Sequence, residues 1–138
     1  MRTRTIRFFA VGIFLLLVGC AGLAPQACAP GLMRMEQAEL FFGRDVSGRA
    51  MVSEQEWRLF LDEEVSTRFP AGFSVADVYG QYRNNAGAIA REQSKQLLIV
   101  IAGGAADEAK LNAIRDAYKR RFNQESVLLV DTPVCAGF

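Results

Sequence analysis

The chain has 138 residues, of which 51% are hydrophobic and 22% are charged, and its formal net charge is +1. This length is typical of one domain, and the nearly neutral charge gives no general attraction for the phosphates of nucleic acids. Histidine is absent from the sequence. Its absence excludes Ser-His-Asp catalysis and histidine-ligated zinc or haem.

The first residues have the layout of a bacterial lipoprotein signal. Three arginines lie within residues 1–7, and an apolar run of eleven residues follows from Phe8 to Val18. This run has the length of the apolar region of a signal peptide, whereas a membrane-spanning helix needs about 20 residues. The sequence Leu17-Val18-Gly19-Cys20 then resembles a lipobox. We therefore predict a signal peptide over residues 1–19 and lipid attachment at Cys20.

Lipidation of Cys20 would place the protein in the cell envelope. Two or more acyl chains on one cysteine anchor a protein stably, whereas a single chain gives only marginal binding. Cys20 is followed by Ala21 and not by the aspartate that favours retention in the inner membrane. We therefore expect an exported protein on the outer membrane, facing the periplasm. The alternative is an ordinary signal followed by a cysteine by chance.

The rest of the chain is predicted to be a tether and one domain. Residues 20–36 are rich in Ala, Gly and Pro without periodicity, which is typical of a flexible tether, and residues 37–138 form the domain. The first strand is predicted from Ala38 to Val46. A capping box of Ser53 and Glu56 then begins a helix whose apolar residues recur at helical spacing.

The remaining elements complete an α+β pattern. Strands are predicted at 73–82 and 89–102, followed by a helix capped by Asp107 and a last strand at 127–130. This order predicts a ferredoxin-like split β-α-β fold (βαββαβ), with a four-stranded antiparallel sheet and two helices on one face. The first and third strands have the most apolar centres and are expected to be central.

The third strand also predicts an interaction between two copies of the chain. Residues 97–101 are apolar at every position, which is typical of a strand buried on both faces. Because the predicted helices cover only one face, a second copy is the simplest cover for the other, and a homodimer is expected. The 21–36 segment or an apolar ligand are the alternatives.

Two cysteines remain after Cys20, and they are predicted to form a disulfide. An exported domain is in an oxidising compartment, where thiols pair. Cys28 precedes the first strand and Cys135 follows the last. In a split β-α-β fold these strands are antiparallel neighbours, so both cysteines lie at the same end of the sheet. The alternative is that Cys28 stays free or pairs with another molecule.

Several segments of the domain resemble one family of bacterial secreted proteins. They include Phe42-Gly43-Arg44, Gly80-Gln81-Tyr82-Arg83 and Arg91-Glu92-Gln93-Ser94-Lys95, and the most specific runs from Tyr118 to Val127. The family is a domain of unknown function, DUF3574. The resemblance implies a single exported domain over nearly all of residues 39–138, and it implies no activity.

The candidate ligand-binding residues each have a structural alternative. Glu64 and Arg68 have the spacing of a helical ion pair, but Arg68 could also clamp an anion. Glu92 and Lys95 belong to a polar run that predicts either a cross-strand charge ladder with Arg83 or Arg44, or a polar ligand cleft. Tyr118 is predicted to be either a core residue or a stacking platform. Arg121 is predicted either to carry a solvated charge or to contact anionic lipid or glycan. The complete set is Arg44, Glu64, Arg68, Arg83, Glu92, Lys95, Tyr118 and Arg121.

The sequence favours a non-catalytic role. It contains no glycine-rich phosphate loop and no recognisable nucleophile and base, so no catalytic residue, metal or cofactor is predicted. The favoured interpretation is a lipid-anchored binding or structural module without a nucleic acid partner. The alternative is a cofactor-independent enzyme or small-ligand binder of the dimeric ferredoxin-like type. Arg44, Arg68 and Lys95 converging in a pocket would favour the alternative, and closed ion pairs would favour the module.

Overall fold

A computed structural model describes residues 27–46, 50–83 and 87–137, so the predicted signal peptide and Cys20 lie outside the described residues. The elements are β1 (Met33–Gly43), α1 (Glu54–Phe60), β2 (Ser74–Arg83), β3 (Ile89–Ile101), α2 (Ala105–Phe122) and β4 (Leu128–Ala136). A π-helical turn, Leu61–Val65, continues α1. None of the helices within these ranges has the length and hydropathy of a membrane-spanning segment.

The predicted α+β fold is confirmed. The four strands form one antiparallel sheet in the order β2-β3-β1-β4, which places β1 and β3 in the centre as expected. The most apolar strands are central because they must be buried against neighbours on both sides. This order also makes β1 and β4 antiparallel neighbours, and β2 and β4 the edges.

The first and last strands of the chain, β1 and β4, are longer than periodicity predicts. β1 begins at Met33, five residues before the predicted start, so residues 33–36 of the predicted tether belong to the sheet. β4 continues through Pro133 to Ala136, and Met33 pairs with Ala136. Pro133 is tolerated because β4 is an edge strand, where a missing N–H need not break a ladder. These ends lack a regular apolar pattern because they extend beyond the part of the sheet that the helices cover.

The two helix starts differ in how well the sequence predicts them. The capping box of Ser53 and Glu56 is present and begins α1 as predicted. The expectation that Asp107 caps α2 is wrong, because the helix begins at Ala105 and Gly104 is its N-cap residue. The Asp107 carboxylate instead accepts a hydrogen bond from the N–H of Gly103 at 3.2 Å. Gly103 and Gly104 both have positive φ, which lets the chain turn directly into the helix.

One face of the sheet packs against both helices. Alternate residues of β1 and β3 point into this core, and Phe42 lies at its centre with no exposed surface. Its ring contacts those of Trp57, Phe60 and Tyr118 at centroid distances of 5.2, 5.9 and 4.7 Å. Aromatic pairs at these distances add to the free energy gained by apolar burial.

The opposite face, the open face, carries no helix in the described part of the chain. Leu98 and Val100 of β3 and Phe41 of β1 are half-buried there, and Leu128 and Val130 of β4 are exposed. β3 therefore has apolar residues on both faces of the sheet. The helices cover one of these faces, and the other is the open face. Cover of this face by a second copy stays a prediction.

The predicted disulfide between Cys28 and Cys135 is present, with a Cα–Cα distance of 5.6 Å. It joins the segment before β1 to the end of β4. Both cysteines lie at the end of the sheet where β1 begins, because β1 and β4 are antiparallel neighbours. The disulfide therefore marks one end of the domain, and the turn from α2 into β4 marks the other.

Candidate functional site

Arg44 and Lys95 form closed ion pairs on the helix-covered side of the sheet. Glu54 at the start of α1 lies 2.8 Å from Arg44 Nη1 and 2.9 Å from Lys95 Nζ. Lys95 also pairs with Asp77, its cross-strand neighbour on β2. Arg44 Nε donates to the Val52 carbonyl at 2.8 Å. Both cations therefore link the first loop and helix to the sheet.

The electrostatics of this cluster agree with a structural role. The hydrogen bond from Lys95 is the main cause that lowers the pKa of Glu54, and it also lowers the pKa of Asp77. Burial acts to lower the pKa of Lys95, but hydrogen bonds with Asp77 and Glu54 outweigh it and raise that pKa. Opposite charges thus hold one another in their ionised forms.

The other cationic candidates also have partners within the domain. Arg68 pairs with Glu64 at 2.8 Å, and Arg121 pairs with Glu63. The Arg83 guanidinium donates to the Gly87 carbonyl. Arg44, Arg68 and Lys95 therefore do not converge in one pocket.

Tyr118 belongs to the core. Its ring is fully buried, and its hydroxyl donates to the Gly43 carbonyl at 2.8 Å. This hydrogen bond ties α2 to the end of β1. Gly43 itself faces the other side of the sheet, where a cavity begins.

A groove with a volume of about 630 Å³ lies on the open face of the sheet. It is bordered by the end of β1, the hairpin of β2 and β3, and the turn that leads from α2 into β4. Phe41, Tyr82 and Leu128 supply apolar or aromatic surface, and Asp45, Glu92 and Glu125 supply carboxylates. We name this cavity the open-face groove.

A glycine at the end of β1 allows Glu92 to lie on the floor of the groove. Gly80 is directly opposite Glu92 on β2, and Gly43 lies on the β1 side. A Cβ atom at Gly43 would stand 2.6 Å from a carboxylate oxygen of Glu92, whereas one at Gly80 would make only ordinary contacts. Gly43 thus leaves the space that the Glu92 carboxylate occupies, as glycine often does within strands where another group approaches closely.

Negative charge is concentrated around Glu92. Burial is the main cause that raises its pKa, and the charge of Asp45 adds to it, while a hydrogen bond from the Asp45 backbone N–H acts in the opposite direction. The pKa of the Tyr82 phenol is also raised, first by the charge of Glu92, then by burial and by the charges of Glu125 and Asp45. The phenol therefore stays neutral, and three carboxylates act on one region of the groove.

The sequence identified one residue of this groove among its candidates. Of the eight predicted ligand-binding residues, all of which the structure describes, only Glu92 lines it. Strand alternation separates Glu92 from Lys95, which points to the helices. Asp45, Tyr82 and Glu125 were missed because they lie on different elements. Gly43 within a strand is the sequence signal that could have indicated a close approach.

The described residues provide no metal centre. They contain no group of three or more Cys, Asp or Glu side chains that could hold a metal ion. The carboxylates of the groove are therefore not arranged as a shared set of metal ligands.

Comparison with solved structures supports the fold. A phage SAM lyase in complex with S-methyl-5'-thioadenosine is similar, with a TM-score of 0.56 and 17% identity, covering 82% of this chain and 95% of that protein. CutA from Synechococcus elongatus is similar with a TM-score of 0.52 and 17% identity, covering 78% of this chain and 87% of that protein. Likeness at this level of identity shows a shared fold.

Comparison at the level of sequence identifies the family. No curated protein sequence matches the chain. The model of the family described as "Protein of unknown function (DUF3574)" matches residues 37–138. This match spans β1 from Gln37 onward, the other three strands, both helices and the open-face groove. The chain belongs to the DUF3574 family.

Proposed function

We propose that this chain is a lipid-anchored protein of the cell envelope whose domain is a non-catalytic binding module for a small molecule. The observation that carries the proposal is the open-face groove. It combines a concave volume of about 630 Å³, aromatic and apolar walls, and a half-buried carboxylate on its floor. Small-molecule sites in proteins have this composition of mostly apolar walls with a few placed polar groups.

On the helix-covered side, the candidate cations are engaged in ion pairs. This favours a binding module over a domain that has a catalytic cluster on that side. Arg44, Arg68 and Lys95 each bond to a carboxylate of the same domain. The fold itself accommodates small molecules, since the similar phage SAM lyase was solved in complex with S-methyl-5'-thioadenosine. In this chain the open-face groove is a concave surface built on the sheet.

The lipid anchor would hold the domain by the end that is opposite to the groove. Cys28 is eight residues after Cys20, so a fully extended chain lets it lie at most about 28 Å from the lipidated residue. The disulfide fixes Cys28 to the end of β4. β1 has 11 residues and is about 35 Å long, and the groove lies at its far end. The groove would therefore lie at the end of the domain that is farther from the attachment of the tether.

Replacing Cys20 by serine is expected to abolish lipid attachment. The hydroxyl of serine cannot form the thioether on which lipoprotein processing depends, so the variant should lose the lipid label and remain as unprocessed precursor. The measurement is metabolic labelling with a fatty acid, followed by separation of membranes and electrophoresis. A matched control is Cys28→Ser, which should keep the label. An unchanged lipid label and unchanged size in Cys20→Ser would contradict the anchor.

Binding is tested by what co-purifies with the protein. Wild type and Glu92→Gln are isolated from the envelope in non-ionic detergent, and released small molecules are identified by mass spectrometry. We expect a compound that is retained by wild type and depleted at least about tenfold in Glu92→Gln, because a charge-assisted hydrogen bond is lost.

The matched control for this experiment is Glu63→Gln. It makes the same change of charge on the helix-covered side, where Glu63 pairs with Arg121. It should retain the compound at the level of wild type. Wild type that releases no small molecule would contradict the binding module, and identical profiles in wild type and Glu92→Gln would contradict the part of Glu92 in it.

The raised pKa of Glu92 favours a second candidate function. A carboxyl group with a raised pKa in a cleft is suited to proton exchange with a substrate, and the domain would then be a cofactor-independent enzyme. The co-purified compound separates the two functions. A binding module returns the compound unchanged after incubation, and an enzyme converts it in wild type but not in Glu92→Gln.

A further inference from the structure

The charges that line the open-face groove all have one sign. Asp45, Glu92 and Glu125 contribute carboxylates, and the described lining residues include no Lys or Arg. Two arginines of the adjacent β2–β3 hairpin donate hydrogen bonds to groups other than the carboxylates of the groove. Arg91 Nε donates to the Gln81 side chain at 2.8 Å, and Arg83 donates to the Gly87 carbonyl. Within the described residues, the negative charge of the groove is thus not neutralised by a lining cation.

Aromatic surface lies beside these carboxylates. Tyr82 and Phe41 line the groove, and Tyr82 is 52% exposed, so its ring is available for contact. The charges of Glu92, Glu125 and Asp45 all act on the Tyr82 phenol. The faces of aromatic rings attract cations, and this attraction grows when the cation is removed from water.

The size and geometry of the groove fit a molecule and not a bare ion. A divalent metal ion needs about six oxygen ligands at roughly 2.0–2.6 Å. The described carboxylates form no such group, and the groove volume is about 630 Å³. The apolar surface of Phe41 and Leu128 is also better matched by carbon groups than by hydration water.

We infer that the open-face groove binds a small organic cation, such as a quaternary ammonium or a protonated amine. Its positive group would lie over the Glu92 carboxylate and against Tyr82, and its apolar part would contact Phe41 and Leu128. This inference rests on the proposed function, because it specifies the ligand class of the same groove.

The test uses three probes of nearly the same shape and different charge. Choline carries a positive charge, neohexyl alcohol is its uncharged carbon isostere, and the tert-butylacetate anion carries a negative charge. Each is titrated into the mature lipidated chain in non-ionic detergent while amide chemical shifts are recorded by NMR. Choline is expected to bind at least about tenfold more tightly than the alcohol, with shifts at Tyr82, Glu92 and Gly43, and the anion more weakly still.

Variants test whether Glu92 and its position matter. Glu92→Gln is expected to weaken choline binding about tenfold and to leave the binding of the alcohol unchanged. Gly43→Ala should weaken choline binding as well, because its methyl group would displace the Glu92 carboxylate. Glu63→Gln removes the same charge on the other side of the sheet and should bind choline as wild type does. Amide spectra of each variant report whether the fold is intact.

Different outcomes overturn the inference and the proposed function. Choline that binds no more tightly than the alcohol, or that binds equally well to Glu92→Gln, would overturn the organic cation. Binding of the alcohol or the anion in the groove would then leave the binding module standing with another ligand class. The binding module itself fails when wild type releases no small molecule that was retained from the envelope.

Discussion

Replacing Cys28 and Cys135 together by alanine is expected to lower the free energy of unfolding by about 4–5 kcal/mol. The disulfide closes a loop with a sequence separation of 107 residues, so it removes many conformations from the unfolded chain. In the folded domain it secures the ends of β1 and β4, where residues 33–35 pair with β4 alone. Urea unfolding followed by circular dichroism measures the loss.

Reduction of the wild type provides the matched control. Wild type in dithiothreitol should show the same loss as the double variant, and dithiothreitol should not change the double variant further. Choline binding should persist in the folded double variant, because the disulfide lies at the opposite end of β1 from Gly43. A loss below about 2 kcal/mol would show that the disulfide adds little to the stability of the domain.

The sequence predicts the fold well because its signals are local. Ser53 and Glu56 specify a helix start through two hydrogen bonds between residues three apart in sequence, and apolar spacing over a few turns specifies the helix. The disulfide could be predicted because the order of elements alone makes β1 and β4 neighbours. The end of β4 could not, because Thr132 and Pro133 join the sheet through pairing with β1 and not through a preference of their own.

The groove depends on distant parts of the chain that folding brings together. Glu92, Tyr82, Asp45 and Glu125 come from β3, β2 and two connecting segments. Alternation along β3 places Glu92 and Lys95 on opposite faces of the sheet. The sequence does not show which face carries a helix above Lys95 and which stays open above Glu92. In the folded domain Lys95 forms structural ion pairs, and Glu92 lies on the floor of the groove. Only the packing of the sheet decides which of the two residues has which environment.

Replacing Phe42 by alanine is expected to lower the free energy of unfolding by about 3–5 kcal/mol. Phe42 has no exposed surface, and its ring packs against Trp57, Phe60 and Tyr118. The substitution leaves a cavity between the sheet and both helices that these neighbours can fill only in part. Urea unfolding measures the loss, and Phe42→Leu, expected to cost about 1–2 kcal/mol, gives a measurable value if the alanine variant does not fold.

Substitutions at Phe41, the neighbour of Phe42, allow the effect on binding to be measured apart from the effect on stability. Phe41 points to the open face, is half-buried and lines the groove, because adjacent residues of a strand face opposite sides of a sheet. Phe41→Ala should therefore cost less than about 2 kcal/mol of stability but weaken choline binding several-fold, since an aromatic wall is removed. Phe42→Leu should show the reverse, a loss of stability with choline binding retained. Equal effects of the two substitutions on both measurements would contradict the division of β1 into a core face and a ligand face.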